Sequence, residues 1–362
     1  LYSISNSLGI SFSIIGGLST FTIIYYSIKI LNFKYSSKES LIVSFLIFFN
    51  PMIWIMGNRY MPDLMGLAIL IASFYYIVCS SEKFDNAIGL ILVGILAGVR
   101  LSFLPMIFIP LFLLLMKNKK YIQILSYVLI GILIWLIPLL FIESPFSIYH
   151  VAYKHTIGHF MDYGGTILTD SNIIDRFIHL INTIYADGLG GYLFGRSIST
   201  IIVTVFICLI FSSYIYYHRE IKLDYNFKLL LMSALLYLIW AFFFQNIVFK
   251  SRHVLPLVYT LVLSIGWLSS YKKNNYLISL MILPLSVITL NLTKAHVGGT
   301  AISILKDNLA DKKLEYVISN PLVNFYLKSH DIKAKFINME VDANQFEIDH
   351  LPAESNILIV GD

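Results

Sequence analysis

Long apolar runs separated by short polar segments set the architecture of this chain. About 20 consecutive apolar residues span a bilayer as a helix, and lipid offers the backbone no other hydrogen-bond partners. We therefore predict an all-α polytopic membrane protein with about ten transmembrane helices. The predicted spans are Leu8–Leu31, Leu41–Gly57, Asp63–Cys79, Ala87–Val99, Leu101–Met116, Tyr121–Ile142, Ser199–Tyr217, Phe227–Ile247, Val254–Ser270 and Tyr276–Leu292.

One long polar-rich segment, residues 143–198, separates the sixth and seventh predicted spans. Its stretch Glu143–Ser197 mixes aromatic side chains with histidines, aspartates and arginines. A loop of this length is usually functional or disordered, and the aromatic content favours a folded segment. We predict that it lies over the membrane surface and covers a site.

The pattern changes after residue 293. Short apolar stretches of strand length here flank a helix-like segment, Pro321–His330. Strands that alternate with a helix favour a small α/β domain with a parallel sheet. We therefore divide the chain into a transmembrane domain, residues 1–293, and a small extracytoplasmic α/β domain, residues 294–362.

The distribution of loop cations predicts the orientation, because cytoplasmic loops carry an excess of lysine and arginine. One set of loops holds Lys34, Lys38, Lys83, Lys117, Lys119, Lys120, Arg219, Lys222, Lys228, Lys272 and Lys273. The short loops of the opposite set hold only Arg59, Arg100, Lys250 and Arg252. The first set is therefore predicted to be cytoplasmic, and the 143–198 loop and the tail to face outward. Since Leu1 then starts outside, we expect at least one helix before it.

Composition agrees with a membrane protein, at 57% hydrophobic and 13% charged residues. The net charge of +5 comes from loop lysines near the membrane, so we predict membrane lipids as partners and no nucleic acid. Cys79 and Cys208 both lie in apolar runs, which favours buried thiols over a disulfide or a metal site. The predicted location is the bacterial inner membrane.

Cations at the outward membrane edge are the first candidates for chemistry. Arg100, Lys250 and Arg252 lie at the ends of predicted spans, on the side where cations are disfavoured. A buried anionic ligand is the usual reason for such cations. Together with His253 they can hold a phosphate, to which arginine offers bidentate bonds. The alternative is that Lys250 and Arg252 only extend to lipid headgroups.

Asp63 is the acidic residue nearest to this edge. It follows Pro62 at the start of a predicted span. An acid in the first turn stabilises a helix, so this position suits a structural role as well as a catalytic one.

His155, His159 and Asp162 have spacings of four and three residues. Such spacings place side chains on one face of a helix, which would suit a metal ion. Gly158 weakens a helix here, however, and two histidines with one acid are a common chance combination. We predict no metal and no cofactor, with a divalent cation as the alternative.

Four loose motifs lie at the outward ends of the spans. They are Asn50-Pro51 followed by Arg59 and Pro62-Asp63; Ala97-Gly98-Val99-Arg100; His155–Gly164; and Lys250–Pro256. Together with the outward tail, they resemble polytopic glycosyltransferases of the C superfamily. Tyr163 stands where tryptophan is frequent in that family, and His253 stands where that family has an aromatic residue. That group includes protein O-mannosyltransferases and lipid A aminoarabinose transferases.

The resemblance implies an inverting transferase that moves a sugar from a polyprenyl-phosphate donor to a lipid, glycan or protein acceptor outside the cytoplasm. In that family an acid of the first outward loop is the general base, and that loop would lie upstream of Leu1. Asp63 would then be a secondary acid. The implied phosphate-binding residues are Arg100, Lys250, Arg252 and His253, and the implied sugar and acceptor residues are Arg59, His155, His159 and Asp162.

Two other classes of protein stay open at this point. A cell-surface polysaccharide polymerase or ligase also combines many spans with a long outward loop, and it uses lipid-diphosphate donors; the α/β tail argues against it. A transporter or flippase predicts charges deep in several spans and a repeat between the halves, neither of which is evident here.

Overall fold

The computed structural model describes residues 7–59, 61–80, 83–162, 164–169, 172–217, 223–270, 272–297, 300–309, 311–339 and 356–360. Tyr163, Arg219, Lys222 and the residues around Leu1, which entered the predictions above, lie outside these ranges. The chain divides into two compact units, Ile15–Leu290 and a second that joins Leu1–Ile14 to Asn291–Asp362.

Helices make up nearly all of the larger unit. Those before the long loop are α1 Leu8–Ile30, α2 Lys38–Phe48, α3 Pro51–Gly57, α4 Asp63–Phe74 with a π-helical end Tyr75–Cys79, α5 Lys83–Arg100, the 3-10 helix Leu101–Ile107, α6 Phe108–Asn118 and α7 Tyr121–Ile142. Those of the loop are α8 Pro145–Ile157, the π-helix Gly158–Asp162, α9 Ile173–Asn182 and the π-helix Thr183–Gly188.

After the loop come α10 Ile198–Tyr217, α11 Tyr225–Phe244, the 3-10 helix Ser251–Val254, α12 Leu255–Leu268 and α13 Lys272–Val297. The remaining elements are α14 Ala301–Leu309, β1 Tyr316–Ser319, α15 Pro321–Ser329, β2 Lys335–Asn338 and β3 Ile357–Ile359. The end of α13 already belongs to the smaller unit.

Within the described ranges, seven helices are long and apolar enough to cross a membrane, or eight if α2 and α3 form one span bent by 61°. These helices support the prediction of an integral membrane protein. The count is lower than the predicted ten because α4 with its π-helical end is a shorter apolar helix, and residues 86–117 form one continuous helical run. A total of about ten spans therefore stays a prediction.

The run from 86 to 117 nevertheless reverses its direction. One cavity is lined both by Ala87 and Leu90 from α5 and by Leu114 and Lys117 from α6. A straight helix would place residues 87 and 117 about 45 Å apart. The reversal occurs at Arg100, whose backbone is extended (φ −154°, ψ 77°) between α5 and the 3-10 helix. Thus α5 and α6 are the two arms of a hairpin.

Helices α5 and α7 approach each other at backbone distance. A Cβ atom on Gly94 would lie 2.1 Å from the Val128 carbonyl oxygen, and one on Gly131 would lie 2.0 Å from that of Ile91. Membrane helices pack by such close approach at small residues, since burial from lipid supplies little driving force. The two glycines therefore determine the α5–α7 contact.

We expect Gly131→Ala to separate α5 from α7 and to destabilise the protein by about 1–3 kcal/mol, the usual result of overpacking. The measurement is the midpoint of thermal unfolding in detergent. Gly17→Ala is the control, because a Cβ atom at Gly17 meets nothing within 4 Å. Equal midpoints for the two variants would contradict this account of the contact.

The smaller unit contains a parallel three-stranded sheet in the order β2-β1-β3. Its buried core consists of Leu309, Val317, Val323 and Leu327, from α14, β1 and α15. Asn324 of α15 donates from Nδ2 to the carbonyl oxygens of Ser319 (3.1 Å) and Ile337 (2.8 Å), which joins the helix to both strands. The predicted small parallel α/β region at the C-terminal end is confirmed.

Candidate functional site

Five ionisable residues from three separate parts of the sequence meet at one end of the larger unit. Asp63 is the first residue of α4, Arg100 lies at the tip of the hairpin, and Lys250, Arg252 and His253 lie at or just before the 3-10 helix Ser251–Val254. The structure therefore brings together all four residues that were predicted to bind phosphate, and the predicted secondary acid with them.

Asp63 and Arg100 form the centre of this cluster. The Asp63 side chain is only 1% exposed, and its Oδ1 lies 2.8 Å from Nη2 of Arg100. A Cβ atom on Gly66 would lie 2.6 Å from Cβ of Arg100, so this glycine allows the close approach. The contact is an ion pair without hydrogen-bond geometry, and both carboxylate oxygens accept no hydrogen bond from the described residues. The positive end of α4 also favours the carboxylate.

His253 extends the cluster on the other side of Arg100. Its Nδ1 lies 3.4 Å from Nη2 of Arg100, and the His253 residue is 5% exposed. The Tyr237 hydroxyl of α11 donates to the His253 carbonyl oxygen at 2.8 Å, which fixes the backbone of the 3-10 helix. The His159 ring from the long loop lies 6.2 Å from the His253 ring, centroid to centroid.

Arg252 is the least satisfied cation of the cluster. Its Nη1 donates to Sδ of Met61 at 2.7 Å, and a thioether sulfur is a weak acceptor. Its Nε is buried and has no partner in the described part of the chain. The charges that act on it are the attractive carboxylate of Asp63 and the repulsive guanidinium groups of Arg100 and Arg59. An anionic ligand would supply the acceptors that Arg252 lacks.

Lys250 lies one residue before Ser251–Leu268, a helical run long and apolar enough to cross a membrane. Burial, together with repulsion from the cations of Arg252 and Arg100, lowers the pKa of the Lys250 ammonium from its ordinary value. Burial is the larger cause, and the repulsion by the two guanidinium groups marks a local excess of positive charge. An anion bound beside Lys250 would reverse this effect.

The long loop is folded and is attached to the end of α11. His159 forms a hydrogen bond through Nε2 with the Phe244 carbonyl oxygen at 2.8 Å. The fully buried Arg176 of α9 donates from Nη1 to Gly165 O at 2.6 Å, from Nε to Phe242 O at 3.2 Å and from Nη2 to Gln245 O at 3.2 Å. The last carbonyls of a helix have no helical partners, and Arg176 supplies donors to them.

Two further contacts hold the loop beside the cluster. A Cβ atom on Gly165 would lie 2.2 Å from Asn246 Oδ1, and the same oxygen accepts from the Phe249 backbone N–H at 3.0 Å. At its other end, the Gly188 carbonyl accepts from Asn50 Nδ2 at 2.8 Å. The loop thus contacts two other segments of the chain. One is the segment around Asn246, shortly before Lys250, and the other is Asn50 at the break between α2 and α3. It is folded, as the sequence predicted.

The remaining predicted sugar and acceptor residues lie further out. His155 and Asp162 are exposed and do not join the cluster, while Arg59 is exposed but close enough for its charge to act on Arg252. Their roles stay predictions. Among the described residues, no group of three or more His, Cys, Asp or Glu side chains could hold a metal ion.

Arg176 is the residue that sequence reasoning missed. In the sequence it is one of several charges in an amphipathic helix, and its partners are backbone carbonyl groups, which leave no trace in the side-chain pattern. The only signal was the hydrophobic face of α9, which marks a helix that packs on something.

Chemically, the cluster combines one buried carboxylate with an excess of positive charge. Among the described residues, Asp63 pairs with Arg100 and attracts Arg252, while the charges of Lys250 and Arg59 act on Arg252 or Arg100. Comparison with protein-family models, with curated proteins and with solved structures found no match to this chain.

Proposed function

We propose that the chain is a membrane glycosyltransferase that takes a sugar from a polyprenyl-phosphate donor and transfers it to a lipid, glycan or protein acceptor. One observation carries the proposal: Arg252 and Arg100 converge beside Asp63, and each has a buried Nε without a partner among the described residues. Unused donors in an excess of positive charge suit phosphate oxygens. The position at the ends of apolar helices suits a phosphate that is carried on a lipid.

The proposed reaction is a displacement with inversion. The acceptor hydroxyl oxygen attacks the anomeric carbon as a base removes its proton. The bond from that carbon to the phosphate oxygen breaks, and its electron pair stays on the phosphate. Arg100, Lys250 and Arg252 would stabilise this growing charge, as fixed donors do in other transfer reactions.

Asp63 serves in this scheme as the secondary acid that orients the acceptor, because its charge is already matched by Arg100. By the chain's resemblance to the C superfamily, the proposed general base is an acid of that family's first outward loop. The folded loop over the cluster would exclude water, which competes with the acceptor for the sugar.

We further propose that the cluster faces the outside of a bacterial inner membrane. The support is the distribution of cations: Lys117, Lys120 and Lys228 belong to loops or helix ends at the opposite end of the larger unit from Arg100 and Lys250. Cytoplasmic loops carry such an excess of lysine and arginine.

The test of the proposed function is a binding measurement followed by a transfer measurement. Purified protein in nanodiscs is titrated with a polyprenyl phosphate and with the polyprenyl alcohol of the same length. We expect the phosphate to bind at least about tenfold more tightly, a difference of about 1.4 kcal/mol. Proteoliposomes with a radiolabelled polyprenyl-phosphate sugar then report transfer. Equal binding of alcohol and phosphate would overturn the proposal.

A polymerase or ligase that uses lipid diphosphates is the second candidate function. The observation in its favour is that the cations of Arg100, Lys250 and Arg252 lie close enough to repel one another, and such an excess of positive charge also suits a diphosphate. Competition between polyprenyl monophosphate and diphosphate in the same nanodiscs separates the two candidates, since the cognate donor displaces the other.

Lys250 makes the binding of phosphate dependent on pH. Its lowered pKa means that the ammonium loses its proton at a lower pH than an ordinary lysine. The phosphate is fully ionised above about pH 7, since its second pKa is about 6. We therefore expect affinity to be full below the Lys250 pKa and to fall as the pH rises through it. In Lys250→Arg, whose guanidinium keeps its proton, the profile should stay flat; an equally steep fall there would exclude Lys250 as the cause.

A further inference from the structure

The cavity between α5 and α6 lies at the other end of the same helices from the cationic cluster, and it is not part of the candidate site. It has a volume of about 640 Å³ and is lined by residues of α4, α5, α6, α7 and α11. Along α4, fourteen residues separate Asp63 from Ile77 of the cavity wall, a distance of about 20 Å in a helix. A ligand here would contact none of the residues of the cationic cluster.

The rim of this cavity is rich in hydrogen-bond donors. Lys117 and Lys120 lie on either side of the tight turn between α6 and α7, at which Lys119 adopts a left-handed conformation with φ 50°. Gln123 donates from Nε2 to the Tyr127 hydroxyl oxygen at 3.2 Å, so the Tyr127 hydroxyl keeps its own proton to donate. Tyr225 adds another hydroxyl. Two ammonium groups beside hydroxyl donors suit an anion.

The walls of the cavity are apolar. Leu90, Leu113, Ile124 and Leu229 line it, from four different helices. A small hydrophilic anion would leave these walls unused, whereas an acyl chain attached to the anion would cover them. The combination of cationic rim and apolar wall therefore indicates an amphiphile.

Two details define the headgroup. None of the described lining residues is acidic, so the quaternary ammonium of a choline lipid would find no counter-charge; the nearby Asp224 is exposed and caps α11 through Asn226 N–H. Asn86 Oδ1 is buried and accepts no hydrogen bond from the described residues. A headgroup hydroxyl would donate to it.

We propose that this cavity binds an anionic phospholipid with a hydroxyl-bearing headgroup, of the phosphatidylglycerol type. Its phosphate lies between Lys117 and Lys120, its acyl chain covers the wall formed by Leu90 and Leu113, and its headgroup hydroxyl donates to Asn86. The lipid comes from the leaflet opposite the cationic cluster. This site is independent of the proposed sugar transfer.

The test is native mass spectrometry of the full chain, released from micelles with equal amounts of phosphatidylglycerol and phosphatidylcholine of the same acyl composition. We expect phosphatidylglycerol to be retained at least about tenfold more, equivalent to about 1.4 kcal/mol. The double variant Lys117→Ala/Lys120→Ala should retain the two lipids nearly equally. Lys34→Ala, an exposed lysine that does not line the cavity, should keep the wild-type preference.

Three results would overturn the proposal. One is equal retention of the two lipids by the wild-type protein, and another is the same loss in Lys34→Ala as in the double variant. The third is displacement of the bound lipid by glycerol phosphate at equal concentration, which would assign the site to a free phosphate. Leu113→Trp, which fills the cavity without changing its charge, provides a second measurement; unchanged retention there would exclude an acyl chain on this wall.

Discussion

Arg252→Ala should weaken the binding of polyprenyl phosphate by about tenfold to a hundredfold, because a hydrogen bond to a charged group contributes about 1.5–3 kcal/mol. In the free protein this guanidinium donates only to the Met61 sulfur, and its Nε is buried without a partner in the described ranges. The substitution should therefore change the stability of the protein little, while it removes the proposed contacts of Arg252 with the phosphate. Sugar transfer should fall further, since charge on the departing phosphate grows in the transition state.

The controls distinguish a bound phosphate from a general effect of charge. Arg252→Lys keeps the charge but cannot form a bidentate bond, so it should recover part of the affinity. Lys228→Ala removes an exposed cation near the start of α11, at the other end of that helix from the cluster; it should leave binding unchanged. Wild-type affinity in Arg252→Ala, with the protein folded and inserted, would remove the phosphate-binding role.

Arg176→Met should detach the long loop from α11 and destabilise it by about 2 kcal/mol or more. The reason is that the carbonyl groups of Gly165 and Phe242 lose their donor, and each buried unsatisfied group costs about 1–3 kcal/mol. The Gln245 carbonyl loses one of its two donors and keeps the Ile247 N–H. Hydrogen exchange measured by mass spectrometry should show faster exchange across α9 and the segment around Gly165. Because the loop lies beside the cluster and is proposed to exclude water from it, transfer should fall as well, while hydrolysis of the donor by water should rise.

Arg196→Met provides the matched control within the same loop. Arg196 forms an ion pair with Asp187 and donates to Ala186 O at 2.6 Å, but both ionic side chains are partly exposed. Exposed ion pairs contribute about 0–1 kcal/mol, so exchange in the loop should change little. If the two variants loosened the loop equally, the buried carbonyl contacts of Arg176 would not be what holds it.

The grouping of Asp63, Arg100, Lys250 and Arg252 could be predicted because charge is rare in apolar sequence. Each of these residues lies at the end of a hydrophobic run, and the alternation of spans puts those ends on one side of the membrane. Their separation along the chain did not prevent the prediction, because an even or odd number of predicted spans between two residues is enough to predict whether they lie on the same side of the membrane. The parallel α/β region near the C-terminal end was likewise visible from strand-length apolar segments.

What could not be predicted depends on backbone atoms and on short distances. The Arg176 contacts use carbonyl oxygens, which every residue carries, so no residue type marks them. The 61° bend between α2 and α3 follows from Pro51 and the Asn50 side chain, which caps α3 and also donates to Gly188 O. The sequence identifies the cap, but it does not identify Gly188 as the partner. The number of spans could not be predicted either, because a hairpin and a long helix have the same hydrophobic pattern.

The hairpin has a consequence for how the chain enters the bilayer during synthesis. Arg100 lies at its tip and Lys117 at the far end of α6, so if each arm is a membrane span, as predicted, one of these two cations crosses the hydrocarbon core. An arginine or lysine at the bilayer centre costs about 2.5–3.5 kcal/mol on insertion scales. If α5 and α6 enter together, the apolar residues of both helices offset that cost. Asp63 is synthesised earlier, at the start of α4, and can then form the ion pair with Arg100 once Arg100 has crossed.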